Sequence, residues 1–498
     1  MSYKNVNIRI NIRTEYSFKE GGVCYMADSK KDNLIKDEQK KDKFKSKNKT
    51  KYQNKYTVCN ALKHGNIFTR LSCIIMGLGN ITCGQIVKGI IYMLSEAGFI
   101  WFMVSEGLQC LSMLPGLGEN EQGEIWNETL GVYEYVSGDN SLLILLYGVA
   151  TCFVCAAFIM LWRSNIKSAY EQQIKKESGK HIKTFTEDIK SLFDDNLHKL
   201  LLTLPVTGVL AFTILPLVFM ISMAFTNYSK VDSHLILFDW VGLENFKQMF
   251  DISGTLGKTF WSVLGWTIIW TIFATALNYI LGMLLAMLIN RKGTKIKGFW
   301  RFVFILSIAV PQFVSLLVLR SMLTQDGIVN VMLRNAGIID KALPFFTNAT
   351  WARVTVIVVN LWIGIPYTMM QVTGILQNIP MELYEAADVD GANGFVKFFK
   401  ITLPYMLFVT APYLITTFTA NINNFNIIYL LTKGDPVPSG STAGKTDLLV
   451  TWLYKLTVDY QYYNLGAVIG IMTFILLAIG SLLVYRRTKA YKDEEGFQ

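Results

Sequence analysis

Asn360, Gly364 and Tyr367, with Ile363 among them, recur at intervals of about three or four residues, and so do Thr417, Asn421 and Asn424. On a helix each set shares one face. Neutral amides and hydroxyls beside an aromatic ring suit an uncharged, hydroxyl-rich solute such as a sugar, whose hydroxyls both donate and accept hydrogen bonds. An anionic solute would call for Arg or Lys in the same place. The same polarity also suits hydrogen bonding between helices packed in a membrane, so residue type alone leaves both roles open.

Catalytic and metal-binding groups are sparse elsewhere. His64, His181, His198 and His234 form no HExxH and no Cys/His spacing that would hold a metal, so neither a metal site nor a catalytic residue is expected. Cys152 and Cys155 form a CxxC, but inside an apolar run with no βαβ context, where they read as small buried residues rather than a redox pair. Residues 439–446, SGSTAGKT, resemble a phosphate-binding loop. Ser439 stands where that loop needs its first glycine, and no strand precedes it. No nucleotide site and no cofactor are therefore expected in this chain.

A different kind of signal lies between two apolar runs. Glu385-Ala386-Ala387 is followed by Gly391 and then by Ile401-Thr402-Leu403-Pro404. Pro380 is placed to start a short helix, the alanines keep one face slim, Gly391 permits a sharp turn, and Pro404 opens the next helix. Such a helix-turn-helix can seat in a groove on another protein; the alternative is a plain surface loop between two spans, which would rarely carry all these residues at these intervals.

The elements that must position these residues follow from composition. The chain has 498 residues, 52% hydrophobic and 17% charged, with a positive mean hydropathy. A soluble domain carries about 25% charged residues, so this is membrane composition. Apolar runs long enough to span a bilayer lie near 86–104, 142–162, 200–225, 261–288, 302–319, 351–376, 405–431 and 465–485. The expectation is an all-α, polytopic transmembrane helical bundle of about eight spans. The first run is the weakest, interrupted by Lys88 and Glu96, with residues 67–83 a candidate interfacial helix.

Lys and Arg in short loops mark the cytoplasmic side. The net charge of +10 is concentrated there, and indicates orientation rather than nucleic-acid binding. No Lys or Arg occurs between Lys88 and Arg163, whereas 163–199 and 291–301 are rich in both, and Arg486, Arg487, Lys489 and Lys492 follow the last run. Both termini are thus expected in the cytoplasm. Residues 1–65 read as a disordered basic tail without the apolar core of a signal peptide, and Met26 is an alternative start. Residues 66–199 read as an N-terminal membrane region with two spans and a cytoplasmic loop. Residues 200–498 read as the core, with six spans and the 385–404 loop.

The 385–404 segment matches at every position the EAA loop of the permeases of binding-protein-dependent ABC importers. The chain also resembles the maltose and maltodextrin permeases of the MalF type at Val241–Phe246, Ala309-Val310-Pro311, Ala352-Arg353, Asn360–Tyr367, Asn421–Phe425, Leu430-Leu431-Thr432 and Thr446–Val450. The resemblance implies a type I importer permease fold in a bacterial plasma membrane, translocating maltodextrins by alternating access. It implies a second, MalG-type permease subunit, two ATPase subunits that bind ATP and Mg, and an external sugar-binding lipoprotein. It assigns ATPase coupling to Glu385, Ala386, Ala387 and Gly391, and solute contact to Asn360, Ile363, Gly364, Tyr367, Thr417, Asn421 and Asn424. Ile308 and Ala420 stand where the family's well-known member carries aromatic residues, which implies a wider pocket and uptake of dextrins of about three or more units. The alternatives are an importer for another oligosaccharide or a sugar phosphate, or a channel or receptor without ATP coupling. The last class has no need of the 385–404 pattern.

Overall fold

The computed structural model describes residues 56–487, apart from 129–130, 137, 231–234 and 292. Residues 1–55 of the expected basic tail, Met26, His234 and the basic residues after 487 lie outside this range. The chain divides into two units, one comprising residues up to Trp101 with Ala156–His198, the other Phe102–Cys155 with the chain from Lys199 onward.

The first unit begins with short helices where a single interfacial helix was expected: α1 (Val58–His64), α2 (Ile67–Leu71) and α3 (Leu78–Thr82). Thr57 and Asn66 cap the first two through their side-chain oxygens. Two helices that run through both units supply the rest, α4 (Ile86–Met113) and α5 (Ser141–Glu177). Asn165 of α5 accepts from Gly77 N–H at 2.9 Å and donates to Ser72 C=O at 2.9 Å. Gln173 accepts from Asn66 N–H and Thr69 Oγ1, each at 2.9 Å. The two charges that weaken α4 both find partners: Lys88 lies 3.5 Å from Asp188 of α6 (Phe185–Phe193), and Glu96 accepts from Met76 N–H at 2.7 Å. A charged group inside an apolar span is tolerated when it is paired in this way.

The second unit holds a two-stranded hairpin, β1 (Gly123–Asn127) with β2 (Val132–Val136), as a small addition to the helical architecture. α7 (Leu197–Met223), α8 (Glu244–Phe250) and the 36-residue α9 (Thr255–Asn290) follow. Next come α10 (Lys297–Ala309) and α11 (Gln312–Met322), bent by 86° at Val310-Pro311 where an unbroken span was expected. Pro311 supplies no N–H and holds Val310 extended, at φ −76° and ψ 126°. α12 (Ile328–Asn335) precedes α13 (Ala349–Leu376), which packs along α9 more extensively than any other pair of helices among the described residues.

α14 (Met381–Val389) starts after Pro380 as expected, but the next helix, α15 (Gly394–Val409), opens ten residues before Pro404. Asn393 caps it, and a wider π-turn over Phe398–Thr402 absorbs the N–H missing at Pro404. The expected seventh span also breaks, by 67° between α15 and the stretch Ala411–Leu431, which opens with α16 (Ala411–Ile422). Pro412 sits in the first turn of α16, where its missing N–H costs nothing. α17 (Phe425–Leu431), α18 (Leu449–Tyr454) and α19 (Tyr463–Arg487) complete the unit.

Every apolar run therefore becomes helical, giving among the described residues six helices long and apolar enough to span a membrane, and up to eight spans if each bent segment counts as one. Their outer faces stay apolar and exposed: the most apolar stretch of α7 has 0% of its residues buried. Outward-facing apolar residues with all backbone bonds closed inside the helix are what a bilayer requires. The core of the second unit centres on Trp266, Trp270, Leu316, Val356 and Ile428 at one level and on Tyr279, Met283, Met369 and Met406 at another.

Candidate functional site

The two bent spans border a cavity of about 630 Å³ in the second unit. Ile308, Val310, Pro311 and Gln312 line it from the α10–α11 bend, Asn360, Ile363, Gly364 and Tyr367 from α13, and Thr417, Ala420 and Asn421 from α16. Eight residues singled out in the sequence thus converge from three parts of the chain. Asn424 does not join them: its Oδ1 accepts from Ile427 N–H at 3.3 Å and caps α17. The lining contains no charged residue. Its volume falls within the roughly 300–1,000 Å³ of small-molecule sites.

The walls are held by polar contacts between helices. Asn421 Nδ2 donates to Thr275 Oγ1 at 3.0 Å, and Trp270 Nε1 donates to Asn421 C=O at 3.0 Å, tying α16 to α9. Thr368 and Tyr413 hydroxyls lie 3.0 Å apart. Close approach of α9 and α13 depends on two glycines. A Cβ on Gly282 would fall 2.5 Å from Thr368 Cβ, and one on Gly364 would fall 2.5 Å from the amide of Asn278.

The 385–404 loop has the geometry its residues suggest. Gly391 adopts φ +73°, with its N–H bonded to Asp388 C=O at 3.1 Å and Ala392 N–H bonded to Ala387 C=O at 2.8 Å. This is the crossed pair of bonds that ends a helix with a left-handed glycine. Glu385 and Ala386 are exposed, Ala387 is half-buried, and Val389 and Phe395 present 88% and 74% of their surface. Tyr384 OH lies 2.9 Å from Thr402 Oγ1 and Lys397 pairs with Asp388, so α14 is braced against α15. The short helix is thus braced from behind and leaves an exposed apolar rim at Val389 and Phe395.

The sequence model of the binding-protein-dependent transport system inner membrane component matches residues 278–490. The galactooligosaccharides transport system permease protein GanP of Bacillus subtilis (strain 168) is 35% identical over 437 residues, covering 87% of this chain and 100% of that protein. The chain belongs to this family of inner-membrane permeases. The maltodextrin permease protein MdxF of the same bacterium is 36% identical to this permease over 85% of the chain and 96% of its own length. The maltose/maltodextrin permease protein MalF of Klebsiella aerogenes is 37% identical over 51% of this permease and 50% of its own length.

The permease has cavity residues that pattern reading passed over. Asn278, Gln312, Trp362 and Tyr413 all line the space. Asn278 is a lone amide in the apolar run 261–288, which was the available signal. Trp362 and Tyr413 supply rings beside Tyr367, so the pocket keeps aromatic surface despite Ile308 and Ala420. Residues 439–446 take a structural part in this permease. Thr446 Oγ1 bonds Thr432 Oγ1 at 2.9 Å, and the adjoining Asp447 receives Gly444 N–H at 2.7 Å, Thr451 Oγ1 at 2.9 Å and Lys455 Nζ at 2.6 Å. Burial pushes the Asp447 carboxyl above its ordinary range, and the Lys455 ammonium opposes this.

Proposed function

We propose that this permease imports uncharged oligosaccharides of the maltodextrin kind, driven by ATP hydrolysed in separate partner subunits. The supporting observation is the uncharged cavity between the two bent spans, lined by amides, hydroxyls and rings. Solute sites in transporters sit where helices break or carry polar side chains that would be costly in lipid, and both occur around this cavity. A sugar phosphate fits poorly, since no cationic side chain lines the space. The similarity to a galactooligosaccharide permease supports a second reading within the same class, in which the solute is a galactose-based oligosaccharide.

In this proposal α14 is the coupling helix. Its exposed face, from Glu385 to Gly391, docks on one of two ATPase subunits, and closure of the ATPase pair moves it as a lever. The bent spans then reorganise, and the cavity alternates between inward and outward access. A second, homologous permease subunit completes the cavity, and an external binding lipoprotein delivers the sugar. Both termini lie in the cytoplasm in this arrangement, as the lysine and arginine distribution indicates.

The test is sugar-stimulated ATP hydrolysis by the reconstituted complex with its binding protein. Stimulation by maltodextrins supports the first reading and stimulation by galactooligosaccharides alone the second. A lone homo-oligomer that purifies without an ATPase would overturn both.

A further inference from the structure

Two buried side-chain atoms at the cavity lack partners among the described residues: Asn278 Oδ1 and Asn360 Nδ2. Their residues are 5% and 4% exposed, and both line the cavity. Buried polar atoms left without a hydrogen bond are costly and are retained in few places, ligand sites among them.

Asn278 is the more informative of the two. It projects from α9, whereas the residues singled out in the sequence lie on α10, α13, α16 and the start of α17. Its amide occupies the space that a side chain at position 364 would fill, since a Cβ built on Gly364 would meet Asn278 Cγ, Nδ2 and Oδ1, each at 2.5 Å. Gly364 therefore has a definite physical role, which is to leave room for the Asn278 amide at the cavity wall. Thr275 and Gly282, one turn away on either side along α9, are already engaged, by Asn421 and by the close approach of Thr368. Asn278 alone on this stripe keeps its acceptor unused.

We infer that Asn278 is a specificity-determining residue, whose amide binds one hydroxyl of the oligosaccharide opposite Asn360. This rests on the importer reading above. A hydroxyl satisfies the amide in either orientation, because it both donates and accepts. The pair thus selects for a hydroxyl at one defined position on the sugar and against solutes that lack it, as buried polar sites do.

The experiment uses the whole reconstituted complex and maltotriose, or galactotriose if that is the sugar which stimulates it, together with a set of analogues each lacking a single hydroxyl. Transport is measured with the wild type, Asn278→Ala and Asn278→Leu, the leucine variant keeping the side-chain volume so that packing survives. Because the same binding protein delivers each analogue to every variant, its own preference cancels in the ratio of variant to wild type. The expected result is a roughly tenfold loss on the intact sugar, matching one lost buried hydrogen bond, and a ratio near one for a single analogue, the one without the contacted hydroxyl. Gly364→Ala, which displaces the amide, should reproduce the same analogue pattern. An equal loss on every analogue would assign Asn278 to packing between α9 and α13 and overturn the inference while leaving sugar import intact. Absence of transport of any sugar by the wild type would overturn the importer reading and this inference with it.

Discussion

Replacing Gly391 gives a graded test of the coupling loop, because the structure separates backbone strain from steric clash. A Cβ at this position meets nothing within 4 Å, so alanine introduces no collision. What remains is the left-handed backbone at φ +73°, which costs a non-glycine residue roughly 1–2 kcal/mol. That lowers the population of the docked turn by roughly 5- to 30-fold. Asparagine tolerates this conformation better and should lose less. Proline cannot adopt a positive φ, removes the N–H bonded to Asp388, and pushes Asp390 away from its helical geometry, so it should abolish the turn. Transport and sugar-stimulated ATP hydrolysis, normalised to the amount of permease in the membrane, should therefore rank glycine, asparagine, alanine, proline. Uncoupled ATP hydrolysis by the partner subunits should survive. Normal import by Gly391→Pro, or an order that ignores left-handed propensity, would refute the assignment of this loop to docking.

A reporter active only outside the cell should work when fused near Asn127 or Gly440 and fail near Lys176 or Gly394; reversed signals at either pair would contradict the orientation. Ala420→Phe should move preference from longer dextrins toward maltose in a competition assay, since a ring would enter the cavity beside Asn421; an unchanged ranking would separate position 420 from solute size. Lys455→Met should lower the amount of folded protein in the membrane, because it strands a buried carboxylate at a cost of about 3–5 kcal/mol, and adding Asp447→Asn should restore part of it. Equal abundance of the single and double variants would show that the pair contributes little.

Length and hydropathy were enough to locate the spans, because a bilayer demands long apolar runs whatever surrounds them. The left-handed turn at Gly391 was also legible, since few residues tolerate that backbone. The bends were less so. Pro311 and Pro412 are visible in the sequence, yet Pro205 and Pro366 lie inside α7 and α13 without breaking them by more than 40°. A proline in an apolar run therefore does not by itself tell a bend from a continuous helix. Asn278 escaped notice for a related reason: it has no periodic companion amide on its own helix, and its counterpart Gly364 meets it only once α9 and α13 pack. The short helices before α4 were hidden as well, since side chains far along the chain, Asn165 and Gln173, satisfy their backbone ends. Asn424 fits the helical spacing of its neighbours, but α16 ends at Ile422, and an amide just before a new helix is drawn to cap it.

The bend at Val310-Pro311 contributes more than a gap between side chains. Where α10 stops and α11 begins, the last carbonyls of one and the first amides of the other have no partners within their helices, and the residues of the bend line the cavity. Main-chain groups left over at helix ends can accept from or donate to a hydroxyl whatever side chains surround them. Under the proposed function recognition would then be layered: the backbone path would supply a general affinity for polyols, while replaceable side chains such as Ile308, Trp362 and Ala420 would set the identity and length of the sugar. A single substitution among those side chains would then change which oligosaccharide is preferred while the main-chain groups of the bend keep their attraction for hydroxyls.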